Sequence, residues 1–187
     1  MDSPRAARPC PVELTHRWVA RDGRPVVLRA LSPDDLEIEL EFVAGLSAET
    51  RYLRLQYATA GMSREMATKL LELDHHDRLA IAGIATDAGR ERIVGVCRYA
   101  REPGATTAEF AIVVADDWQG TGLGTELMRS LCRAARDRGV RRVIGETLAT
   151  NRRFIDWARS VGCSVEVEPD PGLARVTLDL DGPKAPP

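Results

Sequence analysis

The chain has 187 residues, 44% hydrophobic and 29% charged, the proportions of one globular domain that folds without a metal or disulfide. A formal net charge of -2 and only 5% aromatic residues supply neither the pull toward phosphate backbones nor the stacking surfaces of a nucleic-acid binder. No apolar run approaches the roughly 20 residues that span a bilayer, and no apolar core follows Met1-Asp2-Ser3-Pro4-Arg5, so neither membrane nor export is expected and the protein is read as cytoplasmic.

Prolines and charges at both ends predict mobile tails over 1–13 and 182–187 around one domain spanning 14–181. Val26 to Leu31 follows the turn Asp22-Gly23-Arg24-Pro25 and predicts a strand. Ser32-Pro33-Asp34-Asp35 opens a helix, with Leu36, Leu40 and Val43 at near-helical spacing. Further helical stretches start at Ser47 and Ser63, the latter with Met66, Leu70 and Leu73 on one stripe. The period then changes. Leu79 to Thr86, Arg92 to Arg101 and Thr107 to Ala115 read as an antiparallel meander.

Leu123, Leu127, Leu131 and Ala135 recur every four residues and predict an amphipathic helix over 122–138, stopped by Gly139. A strand over 142–148, a helix over 151–161 and a hairpin of 163–168 with 173–180 complete the chain. The pattern is α+β, one mixed sheet between helices. Cys10, Cys97, Cys132 and Cys163 lie far apart with no C-x-x-C pair, as reduced thiols filling apolar gaps do. Adjacent His75 and His76 before Asp77 cannot share a helix face, and no second cluster accompanies them, so no metal is expected and the motif reads as a border of the acceptor groove or as a polar loop.

The chemistry concentrates in Ala108-Glu109-Phe110-Ala111-Ile112-Val113-Val114-Ala115-Asp116-Asp117-Trp118-Gln119-Gly120-Thr121-Gly122-Leu123-Gly124-Thr125, a strand, a tight loop and a helix start. Glycines at alternate positions remove side chains where a ligand approaches the backbone, and the loop's N–H groups lie at the positive end of the helix. This is an anion cradle. Gly124 is followed by Thr125-Glu126 and not by the Lys-Ser/Thr of a P-loop, and G-x-G-x-G departs from the dinucleotide fingerprint.

Gln119-Gly120-Thr121-Gly122-Leu123-Gly124 instead resembles the Q/R-x-x-G-x-G/A pyrophosphate signature of the GNAT superfamily of N-acetyltransferases. The resemblance runs over about 14–181. With Arg29, Ser47 and Arg51-Tyr52-Leu53-Arg54, it is most similar to the acetyltransferase domain of bacterial Pat-type protein-lysine acetyltransferases. It implies a mostly antiparallel GNAT-like sheet with helices on both faces, acetyl-CoA as co-substrate, and a splayed strand whose Ile112, Val113 and Val114 backbone takes the pantetheine arm as if it were an added strand. Cofactor contacts are then expected from Gln119, Gly120, Thr121, Gly122, Leu123, Gly124 and Thr125. Asn151, where relatives place a pantetheine-binding asparagine, reads equally as a helix N-cap. Many relatives carry a tyrosine proton donor seven residues later; Ala158 stands here, as in Pat-type relatives that lack it, and Gly162-Cys163 replaces the usual Gly-Phe.

A lysine of pKa near 10.4 is only about 0.04% neutral at pH 7, so amine acetylation needs a proton acceptor. Glu109, on the strand leading to the cradle and followed by apolar residues, is the candidate general base and matches the residue that Pat-type enzymes use. Backbone N–H groups near Val113 and Val114 would hold the oxyanion. Trp118, and Trp157 with Phe154, read as contacts to the cofactor's adenine or pantetheine or as core, with the spacing to Phe154 and Val161 favouring core for Trp157; Arg152-Arg153 reads either as a phosphate contact or as a solvated face. The expected reaction is direct acetyl transfer to a primary amine, foremost a lysine of a protein such as an acyl-CoA synthetase. A small amine, or a silent acyl-CoA sensor, are the alternatives; oligomeric state is left open.

Overall fold

The computed structural model describes residues 10–55, 62–167 and 172–182; the tail segments 1–9 and 183–187, Glu168 of the predicted hairpin and the side chain of Arg54 lie outside them. Among the described residues one eight-stranded sheet forms in the order β1 (His16–Val19), β2 (Pro25–Ala30), β3 (Arg78–Asp87), β4 (Arg90–Ala100), β5 (Thr107–Val114), β6 (Arg142–Leu148), β8 (Leu173–Asp179) and β7 (Ser164–Val167). Every neighbouring pair is antiparallel except β5 with β6. That exception follows from the chain between them, because parallel neighbours need a crossover and α4 (Leu123–Asp137) supplies it.

Helices α1 (Leu36–Gly45), α2 (Ala48–Leu55) and α3 (Arg64–Leu70) cover one face of the sheet; α4 and α5 (Arg152–Ser160) cover the other. The α4 stripe packs as its spacing predicts. Leu123, Leu127, Leu131 and Ala135 are fully buried, each leucine contributing roughly 1.5–3 kcal/mol. They approach the bare backbone of Gly83 and Gly95, where an added Cβ would lie 3.1 Å from Leu123 and 3.0 Å from Leu127.

Other elements turn differently from their patterns. In α3, Ala67 and, just past its end, Leu71 are buried while Met66 of the expected stripe is 38% exposed; Leu73 is buried as expected. In α1 the buried face includes Glu39, whose charge is met by Arg98 of β4 at 2.5 Å. The strand β1 has four residues and alternating partial burial, too short for a periodic signal. Among the described residues no helix is long and apolar enough to cross a membrane.

Strands β5 and β6 pair only at Thr107, Ala108 and Glu109, then part. Phe110 marks the parting: its ring lies against Gly145 of β6, where a Cβ would come within 2.8 Å of it. This gap is what the fold contributes to function.

Candidate active site

The gap opens into a groove of about 900 Å³, walled by β5, β6, α2, the loop before α4 and the start of α5. The Ala115 N–H donates to Val94 of β4, and the register pairs Val114 with Gly95. Antiparallel alternation therefore turns the N–H of Val113 toward β4 and those of Ile112 and Val114 into the gap. Of the two amides expected to hold an oxyanion, only that of Val114 faces the groove; Ile112 adds a second.

Beyond β5 the chain makes a turn at Asp116–Trp118 and enters α4 through Gly120 and Gly122, with φ of 81° and 93°. The N–H groups of Gly120, Gly122 and Gly124 donate to no described residue; that of Leu123 goes to Thr121 Oγ1 at 3.4 Å, and the N-cap of α4, Gly122, has no side chain. Three unspent donors at the positive end of a 15-residue helix make the predicted cradle. Gly120, Gly122, Gly124, Gln119 and Thr125 line the groove. The side chains of Thr121 and Leu123 do not: Thr121 Oγ1 donates to the Trp118 carbonyl at 2.6 Å, and Leu123 is a core residue of α4. Only their main chain can meet a ligand.

The loop is clasped from a distance in sequence. Arg21, in the β1–β2 turn, donates its backbone N–H to Thr121 at 3.0 Å, and its side chain lies over Gly122 and lines the groove. Nearby Arg24 donates to the Asp117 carbonyl at 2.8 Å, and its guanidinium sits 3.7 Å from the centre of the buried Trp118 ring. On the far wall Arg152 and Arg153 also line the groove, Arg153 bonding the Gln119 side-chain oxygen. The Gln119 amide donates to the Val114 carbonyl at 3.2 Å. Arg21 was not legible as a site residue, since nothing in its local sequence marks it.

Asp116 fastens α2 to the end of β5. It accepts from the Ser47 N–H, the Ser47 hydroxyl and the Thr50 hydroxyl at 2.9, 2.8 and 2.7 Å. Burial works against its charge, but the hydrogen bonds from Ser47 and Thr50 outweigh it and hold the carboxyl below the usual range. The Asn151 side chain accepts from the Phe154 N–H at 3.3 Å and donates to Thr147 at 3.0 Å. It is thus the N-cap of α5, and it also lines the groove.

Trp157 packs against the core, as expected, and also meets the groove. With Phe154, 5.3 Å between ring centres, it lines the groove and donates to Thr125 at 3.2 Å; Ile155 and Ala158 are the fully buried residues of α5. Ala158, where relatives carry the tyrosine, is fully buried and has no proton to give. Glu109 is exposed, on the face opposite Phe110 and Ile112, because successive strand side chains alternate. Its apolar sequence neighbours are not its surroundings. Burial pushes the Cys132 and Cys163 thiols up to about 12 and 11, which removes them as nucleophiles near neutrality.

His75-His76-Asp77 lies at the opposite end of the sheet from the cradle. Arg101, at the end of β4, donates to Asp77 at 2.9 Å, to the Ala105 carbonyl at 2.9 Å and to the Arg138 carbonyl at 2.7 Å. The histidine pair therefore does not border the acceptor groove, one of its two expected roles; it is a polar loop tied to Tyr99, Arg101 and Arg138. No group of side chains suited to a metal occurs among the described residues.

A family model described as Acetyltransferase (GNAT) family matches residues 46–163. The acetyltransferase PA5475 of Pseudomonas aeruginosa is 34% identical over 155 residues, 82% of this chain and 83% of its own. The acetyltransferase Pat of Mycolicibacterium smegmatis is 31% identical over 173 residues, 92% of this chain but 49% of its own, so the present chain spans about half of it. The crystal structure of the GNAT domain of S. lividans PAT superposes with a TM-score of 0.82 at 26% identity, covering 90% of this chain and 98% of that one. The fold is shared also by yncA of Salmonella typhimurium, solved with its cofactor acetyl-CoA, at a TM-score of 0.66 and 19% identity over 87% of this chain and 98% of that one. The chain belongs to the acetyltransferase (GNAT) family, whose members use acetyl-CoA.

Proposed function

We propose that this protein moves the acetyl group of acetyl-CoA directly to a primary amine, foremost the side chain of a protein lysine, with Glu109 as general base. The observation that carries the donor half is the set of unspent N–H groups at Gly120, Gly122 and Gly124 beside a parted strand pair. Such donors suit a diphosphate, and Arg21, Arg152 and Arg153 around the same groove suit further phosphate charge. The inward amides of Ile112 and Val114 suit an extended amide-bearing arm, and one such amide aimed at the developing oxyanion contributes about 3 kcal/mol.

Glu109 takes a proton from the acceptor ammonium, directly or through one water, which frees the nitrogen lone pair for attack on the thioester carbon. The C–N bond forms as the C–S bond breaks. The second amine proton is lost, and the departing thiolate takes a proton from solvent, in keeping with Ala158 at the position of the missing tyrosine. The protein-lysine acceptor rests on the Pat-type resemblance and on the similarity to the two PAT proteins.

The test is turnover followed by thiol release, with acetyl-CoA binding measured separately. Glu109→Gln is expected to lower kcat by roughly 10²–10⁴-fold while the acetyl-CoA Kd stays unchanged. Turnover that is unaltered across the pH range would remove Glu109 from this role. Mass spectrometry of a treated lysate should find acetylated protein lysines. Thiol release with small amines alone would move the acceptor to that class, and stabilisation by acetyl-CoA with no release from any amine would make the protein a sensor.

A further inference from the structure

Glu109 does not line the groove; Glu146, on β6, does, along with Glu49 of α2 and Asp116, whose oxygens are taken up by Ser47 and Thr50. Because Glu109 and Ile144 are register partners in parallel strands, both point to the face covered by α2, and so does Glu146 two residues later. It stands about 6.6 Å further along β6, just past the point where the strands part, opposite Ala111 across the gap. Glu109 sits before the parting and Glu146 beyond it. The small side chain of Ala111 leaves the intervening space open, and α2 roofs it with Glu49 and Tyr52, both lining the groove.

Among the described residues, Arg21, Arg152, Arg153, Glu49, Asp116 and Glu146 are the charged ones that line the groove. Asp116 is taken up by Ser47 and Thr50 at the end of β5, whereas Glu146 stands on β6 just past the parting. Glu146 Oε1 accepts from Arg175 Nη2 of β8 at 3.3 Å, both side chains half exposed; its other oxygen accepts from no described residue. A half-solvated carboxylate held on one side by an arginine and open on the other is suited to receive a cation from the groove.

We propose that Glu146 is the acceptor-binding residue: its free oxygen receives the acceptor ammonium and holds the nitrogen beside Ala111, from where Glu109 withdraws the proton. This rests on the acetyltransferase reading and selects a cationic amine as the substrate class. It also explains how a base outside the groove lining serves the reaction, since the ammonium is anchored by one carboxylate and deprotonated by another. No new bond-making step is introduced.

The experiment measures acceptor KM and kcat separately, together with acetyl-CoA Kd, for wild type, Glu146→Gln, Glu146→Asp and Glu109→Gln. The probes are an N-capped lysine peptide, spermidine and a lysate scored by mass spectrometry. Glu146→Gln is expected to raise the acceptor KM roughly ten- to a hundredfold, as loss of a hydrogen bond to a charged partner does, with kcat within about threefold of wild type and acetyl-CoA Kd unchanged. Glu146→Asp should recover part of the loss. Acceptor KM equal to wild type in Glu146→Gln, or a collapse of kcat at unchanged KM, overturns the assignment. The latter, with Glu109→Gln silent, would make Glu146 the base. A wild-type protein that acetylates none of the probes defeats the proposed function itself, and this role with it.

Discussion

Where β5 begins, Asp77 is 3% exposed and bonded to Arg101, whose other nitrogens are spent on the Ala105 and Arg138 carbonyls. Arg138 in turn donates to the His75 carbonyl, and Tyr99 to that of His76, both at 2.7 Å. Burial raises the Tyr99 hydroxyl to about 12, so it remains a donor at any physiological pH. Where β5 ends, the reverse holds: N–H groups of three glycines are unspent, β6 has parted, and the surrounding arginines are exposed. At the first end the Asp77 carboxylate, the Arg101 guanidinium and the Tyr99 hydroxyl are bonded within the protein, although the buried His75 Nδ1 has no partner among the described residues; the second end leaves its donors for a ligand. A buried set tolerates no vacancy, whereas solvated donors can wait for a phosphate, so mutations at the two ends should separate stability from binding.

The sharpest break is at the closed end. Asp77→Ala leaves the Arg101 guanidinium buried without its carboxylate and is expected to cost about 3–5 kcal/mol in urea unfolding, with kcat of the remaining folded protein unchanged. A loss of acetyl-CoA affinity without loss of stability would erase the contrast. At the open end, Gly122→Ala forces a side chain onto φ of 93° with its Cβ 3.3 Å from Arg21 Nε. It should cost about 1–2 kcal/mol in the same assay and weaken acetyl-CoA as well, because the strained residue carries a cradle amide. The smallest effect is expected of Arg21→Ala, an exposed charge: about fivefold weaker acetyl-CoA binding by calorimetry, disappearing as salt approaches about 1 M, and no change in unfolding. An effect independent of salt would mean that Arg21 acts by packing over Gly122.

Elements whose signal is local were legible beforehand. The α4 stripe, the meander and the Asn151 cap each depend on residues within a few positions of one another, and each forms within one or two residues of its expected bounds. Where tertiary packing chose between nearly equal local options, the reading slipped. The α3 helix turned Met66 out in favour of Ala67; Trp157 packs against the core, as expected, with one side while lining the groove with the other. Of the apolar residues Phe110, Ala111 and Ile112 that follow Glu109, strand alternation sends Phe110 and Ile112 to the other face and leaves only the small Ala111 on that of Glu109.

The amino-acid order alone determined the alternation of strands and helices, the glycine spacing of the cradle and the acetyltransferase family, because these are written in short-range periodicity and in one contiguous motif. Which carboxylate faces the gap, which amides point into it and which arginine covers the loop were decided only in three dimensions. Arg21 meets Gly122 across about a hundred residues, and Glu146 faces Ala111 only through the register of β5 on β6. Contacts between segments so far apart are fixed by sheet pairing and core packing, which no local stretch of chain encodes.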